Sequence, residues 1–195
     1  MTEAGFTEEE LVLKSQNGDR EAFEALMETT LAKTWAIAWR LTGNQTKAED
    51  LVQETYIKAW IAIPKFRGQA GFASWLYRIE FNCDMDRIRE ESKRREVSLD
   101  GDSGDDSKPL MQIADPKPGA PAQLEAAEKI CTIQRVLEAL DPVYKQILVL
   151  RELEGFSYEE IGTLLTIPQG TVAAWLFRAR VAFREAYFKA TGDKV

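Results

Sequence analysis

Three times along this chain a hydroxyl residue stands three positions ahead of a glutamate at the head of an apolar helical pattern. The pairs are Thr7 with Glu10, Thr46 with Glu49, and Ser157 with Glu160. At that spacing the hydroxyl accepts a hydrogen bond from the glutamate's backbone N–H, while the carboxylate accepts one from the N–H of the hydroxyl residue. Two donors that every helix start leaves orphaned are satisfied together. Asp19 is placed to cap a further helix, and Asp141-Pro142 gives an N-cap followed by proline at the first helical position. Stops are equally plain: Gly18, Gly43 and Gly155 close apolar patterns, and Pro64 cuts another. Between these signals Phe23, Leu26, Met27, Leu31, Trp35 and Ala38 recur at helical spacing. No stretch of any length alternates with the two-residue period of a strand. The expected fold class is all-α.

One segment breaks the pattern. "SLDGDSGDDSKPLMQIADPKPGAPA", residues 98–122, is rich in Gly, Ser, Asp and Pro and carries 2 lysines against 5 aspartates. It holds too little apolar surface to offset the entropy of ordering. The expected organisation is therefore two small helical domains, 1–97 and 123–195, joined by a flexible acidic linker over 98–122.

Composition removes whole classes of function. Histidine is absent, which excludes imidazole catalysis and His-containing metal sites. Cys83 and Cys131 lie far apart on apolar helical stripes and read as buried free thiols. No glycine-rich phosphate loop, nucleophile elbow or nucleophile–base set is present, so no catalytic residue, metal or cofactor is expected. No apolar run approaches a membrane span and no charged-then-apolar signal segment opens the chain, so a cytoplasmic location is expected. The net charge of −7 argues against a protein that grips DNA unaided.

Local patterns narrow the rest. In "AEDLVQETYIKAW", Ala48, Val52, Thr55 and Ala59 line one helical face, and Asp50, Gln53, Glu54 and Ile57 line another. Taken alone, the second face reads equally as a solvated surface or as a docking ridge. Further on, Arg78, Asn82, Arg89 and Lys93 return to nearly one angle at 3.6 residues per turn. Phe66, Arg67, Phe72, Trp75, Tyr77 and Phe81 crowd the start of the same element. Cations beside aromatic faces suit an unpaired DNA strand, whose phosphates and unstacked bases they match. Phe72 and Trp75 are more often core in such a setting. Finally, a short helix "YEEIGTLL", the turn "TIP" and a longer helix from about Gln169 to Lys189 have helix-turn-helix spacing.

With these segments in order, "NGDREAFEALM", "AEDLVQETYIKAW", "FRGQAGFASWLYRIEFN" and "LRELEGFSYEEIGTLLTIPQGTV…FRAR", the chain resembles an extracytoplasmic-function sigma factor of bacterial RNA polymerase. The resemblance runs over nearly the whole length, and the linker falls where that family puts it. It implies a promoter-specificity subunit with no small-molecule substrate, partnered by core polymerase (the largest subunit's coiled coil and the β flap), promoter DNA and an anti-sigma factor. It assigns Asp50, Gln53, Glu54 and Ile57 to the coiled coil. Phe66, Arg67, Arg78, Asn82, Arg89 and Lys93 fall to the −10 element, and Thr171, Ala174, Trp175, Arg178 and Arg180 to the −35 element. In the family the acidic linker threads toward the RNA exit path; a plain solvated tether is the alternative.

Two departures stand out. Glu80 and Phe81 replace small or basic residues of the family, and a carboxylate at Glu80 is expected to repel DNA. After "GTV", the family's basic and hydroxyl residues are replaced by Ala173, Ala174 and Trp175. Either the helix reads thymine methyls through this apolar strip while later arginines hold phosphate, or an exposed Trp175 serves a protein partner. A sigma-like decoy that binds an anti-sigma factor without reading promoters is the rival function.

Overall fold

A computed structural model describes residues 6–68, 71–98 and 121–192, with side chains described for 6–68, 71–94 and 129–192. Its helices are α1 (Glu8–Gln16), α2 (Arg20–Thr42), α3 (Gln45–Ala62), α4 (Phe72–Ser98), α5 (Pro121–Glu138), α6 (Pro142–Leu148), α7 (Tyr158–Leu165) and α8 (Gln169–Thr191). A 3-10 turn, Ile63–Lys65, follows α3, and a π-helical turn, Val149–Leu153, follows α6. Among the described residues there is no strand, and the molecule is all-α. Residues 99–120, and with them almost all of the expected linker, lie outside the described residues.

Capping chemistry sets most of the boundaries. Both bonds of the capping box are present at Thr7/Glu10 and at Ser157/Glu160. Asp19 accepts from the N–H of Ala22, and Asp141 from that of Val143. The expected box at Thr46 does not form. Gly43 takes a left-handed φ of 65°, which ends α2 and leaves Asn44 extended, so Asn44 Oδ1 caps α3 by accepting from Lys47 N at 3.0 Å. Asparagine is as good an N-cap as serine or aspartate and better than threonine, and it comes two residues earlier.

The inner face of α2 is also rotated from the expectation. Leu31 and Trp35 are exposed, whereas Thr30, Thr34, Ile37 and Leu41 point inward. The cause is Tyr56 of α3. Its hydroxyl lies 2.9 Å from Thr30 Oγ1 and donates to Thr34 Oγ1 at 3.3 Å. A buried phenol left unpartnered costs about 1–3 kcal/mol, so two threonines on the inner face outweigh two larger apolar side chains.

The helix-turn-helix closes tightly. A Cβ at Gly162 of α7 would stand 2.9 Å from the Ile167 carbonyl oxygen and 3.8 Å from Val172 Cγ2, so only glycine lets the turn fold back on α7. Val172, Leu176 and Ala179 then face inward along α8 against Ile161 and Leu164.

Candidate nucleic-acid interface

The long helix α4 positions the first candidate surface. Its inner side carries Phe72, Leu76, Tyr77, Glu80, Phe81, Cys83 and Asp84, all buried. That burial fixes the outward direction, where Arg78, Asn82, Arg89 and Lys93 are all exposed along one strip. Arg89 is partly engaged, 3.2 Å from Asp86 Oδ1. At the head of the strip Phe66 and Trp75 are half-buried with ring centroids 4.8 Å apart, each also against the buried Phe72. Arg67 is exposed beside them.

The expected repulsion from Glu80 is corrected by its position. Its side chain is fully buried under the strip, and neither carboxylate oxygen has a hydrogen-bond partner among the described residues. Burial first, and Asp84 second, push its carboxyl well above the ordinary range, which favours the protonated, neutral form. Burial likewise raises the neighbouring Tyr77 phenol to about 12. Phe81 is core, so neither departure from the family reaches the surface.

A cleft of about 710 Å³ opens along the head of this strip. Lys65, Phe66, Arg67, Trp75 and Arg78 form one wall; Ser157, which caps α7, and Glu159, Glu160 and Thr163 along it form the other.

The exposed side of α3 and α2 is a second candidate surface. Asp50, Gln53 and Ile57 are exposed and Glu54 is half-buried, its carboxylate held 2.8 Å from Lys58 Nζ. The structure adds an apolar groove to this ridge. Leu31, Trp35, Ile57 and Ile61, 41–71% exposed, stand along it above Tyr56 and Trp60. The outward turn of Leu31 and Trp35, legible only once Thr30 and Thr34 are known to be inside, is what the sequence pattern hid.

On α8 the inward set Val172, Leu176 and Ala179 fixes which residues face solvent. Ala173, Ala174, Phe177 and Arg178 are exposed; Thr171 and Trp175 are half-buried. Trp175 packs against the core at the edge of the outward face, contrary to the expectation of an exposed tryptophan. The aromatic presented outward is Phe177, 70% exposed, which the sequence reading missed. A signal was available: Val172, Leu176, Ala179 and Phe183 recur at helical spacing and put Phe177 opposite them. Arg180 is tied to Glu152 of the π-helical turn at 2.6 Å, while Arg178 has no ion-pair partner among the described residues.

Comparison with known proteins decides what these surfaces belong to. Residues 26–94 match the sigma-70 region 2 family and residues 132–183 the sigma-70 region 4 family. The ECF RNA polymerase sigma factor SigW of Bacillus subtilis is 34% identical over 176 residues, covering 87% of this chain and 91% of that one. The chain belongs to the extracytoplasmic-function group of the sigma-70 family. A second relative of this sigma factor, the RNA polymerase sigma-H factor of Pseudomonas aeruginosa, is 32% identical over 183 residues, covering 92% of this chain and 93% of its own. Among solved structures, CnrH in complex with the cytosolic domain of CnrY aligns with a TM-score of 0.61 at 25% identity, over 93% of this chain and 96% of that one. This sigma factor therefore directs core RNA polymerase to promoters and initiates melting, and the decoy reading is not favoured.

Proposed function

We propose the following division of labour within this sigma factor. Residues 1–97 bind core polymerase and open the −10 region, 98–122 act as linker, and 123–195 bind the −35 region. The observation that carries the proposal is the outward strip Arg78, Asn82, Arg89 and Lys93 on one helix, headed by Phe66, Arg67 and Trp75. Its cations suit phosphate and its rings suit unstacked bases. Asp50, Gln53, Glu54 and Ile57, with the apolar groove beside them, dock the coiled coil of the largest subunit, and the β flap receives the C-terminal half. At the −35 element Arg178 holds phosphate and the outward apolar face, Ala174 and Phe177, touches thymine methyls. Thr171, Trp175 and Arg180 support that face from its edges.

The protein performs no chemistry of its own, and it works in the cytoplasm, where its polymerase is. No helix among the described residues is long and apolar enough to cross a membrane, which agrees with that location. An anti-sigma factor holds it inactive; CnrH, similar over most of its length, is in complex with the cytosolic domain of CnrY.

Run-off transcription with purified core polymerase on genomic DNA tests the whole reading, and specific start sites are expected. Reversing charge at Asp50 and Glu54 is expected to weaken capture of core by about ten-fold, the scale of one or two lost interfacial ion pairs, with the melting temperature unchanged. Undiminished capture would remove the ridge from the interface.

A further inference from the structure

Helix α1 carries none of the residues assigned to DNA or to polymerase, yet both its ends are bonded to the backbone flanking the aromatic head. Leu11, Val12 and Ser15 are buried and seat α1 in the bundle. At its last residue, Gln16 Nε2 donates to the Phe66 carbonyl oxygen at 2.8 Å and to the Ile63 carbonyl oxygen at 3.3 Å. A carboxamide nitrogen has two hydrogens, so one side chain serves both bonds. At its first residue, Glu8 Oε1 accepts from the Phe72 N–H at 2.9 Å. That N–H opens α4, where the first donors have no partner within the helix. Glu8 and Gln16 stand about 12 Å apart at the helical rise. The helix is thus a strut with one end on the 3-10 turn and the other on the start of α4.

Phe66 is where the strut matters. The 3-10 turn ends there and the backbone becomes extended, with φ −66° and ψ 127°. Its N–H donates to the Ile63 carbonyl oxygen at 3.0 Å, and its own carbonyl oxygen is the one that Gln16 holds. Both backbone polar groups of Phe66 are therefore tied, and its ring lies against Trp75 and Phe72. Gly68 and Gly71, between Phe66 and Phe72, offer no side chain to fix the connection from within. A ring held in place before a base arrives spares the complex the entropy of ordering it afterwards. Support of the fold as a whole is the weaker explanation, because Glu8 is exposed and Gln16 only half-buried.

We propose that Gln16 and Glu8 are positioning residues for the −10 strand. From α1 they hold the backbone on both flanks of the head, so that Phe66 stands ready to stack on an unpaired base. Neither touches DNA. The inference rests on the assignment of that head to the −10 strand.

The test uses the full chain and a labelled single strand covering the −10 element upstream of a start site mapped by run-off transcription. Gln16→Met keeps the length of the side chain and removes the donor. It is expected to weaken strand binding about ten-fold, as for a head whose competent arrangement falls to about one time in ten. Phe66→Ala should lose at least as much. The double variant should lose no more than Phe66→Ala alone, because Gln16 acts only through that ring. Glu8→Ala is expected to cost about three-fold, the scale of one hydrogen bond. Removing a carboxylate would by itself favour DNA, so a loss there can come only from lost positioning. Glu8→Gln, which keeps an oxygen for the Phe72 N–H, should bind at least as well as wild type. Core capture is expected to stay at the wild-type level in every variant. If Gln16→Met binds the strand normally while Phe66→Ala does not, the strut is overturned and the −10 assignment stands. Losses that add in the double variant, or a parallel fall in core capture, would make Gln16 a merely structural residue and also overturn it. Undiminished strand binding by Phe66→Ala would sink the −10 assignment of the head, and the proposal with it.

Discussion

The two surfaces proposed to face DNA differ in chemistry and in access. On α4, Arg78, Asn82, Arg89 and Lys93 make a polar, mostly cationic strip whose aromatic head lies in a cleft faced by carboxylates. On α8 the outward face is Ala173, Ala174 and Phe177 with the exposed Arg178 and Arg184, neither of which has an ion-pair partner among the described residues, and it stands in open solvent. The first surface owes its attraction to charge and is salt-dependent. The second offers mainly apolar contact, which on the proposed reading would discriminate bases through the thymine methyl and respond little to salt. A net charge of −7 does not bar either proposed surface from DNA, because Arg78, Arg89 and Lys93 on α4 and Arg178 on α8 all face outward.

The largest effect is expected on α4. Replacing Arg78 and Asn82 together with alanine should cost roughly 2–4 kcal/mol in open-complex formation, at about 1–2 kcal/mol for each lost contact. Initial promoter binding should change far less, because the closed complex rests on the duplex. Permanganate footprinting beside a binding assay separates the two steps. Equal losses in both would erase the distinction between the surfaces.

On α8, Phe177→Ala is expected to cost about 1–2 kcal/mol at a cognate −35 site, the scale of one lost base contact. The loss should depend on the base at one or two positions and hardly on salt. Arg178→Ala is expected to behave in the opposite way, weakening binding on every sequence and making the salt slope shallower by about one. Trp175→Ala serves as the control. With that side chain half-buried against the core, its loss should lower the melting temperature and affect all activities together. Should Trp175→Ala instead change base preference in a folded protein, the edge and the centre of the reading face have been exchanged.

What was legible in the sequence was whatever depends on neighbours along the chain. Caps at Thr7, Asp19, Asp141 and Ser157 and the common angle of Arg78, Asn82, Arg89 and Lys93 follow from spacing alone. The α3 cap was misread because Thr46 and Asn44 both qualify, and only the backbone left extended by Gly43 decides between them. Inward threonines on α2 could not be foreseen, since their partner is a tyrosine on another helix. The seam between the halves was equally invisible. Gln146 and Asp84, or Arg40 and Glu154, are far apart in sequence and meet only in the folded chain.

The smallest effect concerns Glu80, and it sharpens the comparison by separating what lies on the α4 strip from what lies under it. A buried carboxyl whose folded pKa is raised above its unfolded value binds a proton more tightly in the folded state. Its contribution to stability is therefore intact below the ordinary carboxylate pKa of about 4.3. It declines as pH climbs from there toward the raised folded value, because the unfolded chain releases the proton freely and the folded chain does not. Glu80→Gln keeps the shape and removes the titration. The variant is expected to match wild type in melting temperature near pH 4 and to exceed it at pH 8, with a flatter profile between. Strand affinity and its salt slope should stay as they were, since Glu80 presents nothing to DNA. A steeper salt slope or tighter strand binding in the variant would mean that the carboxylate is ionised and felt at the surface, and the strip would then have to be redrawn with a negative charge inside it.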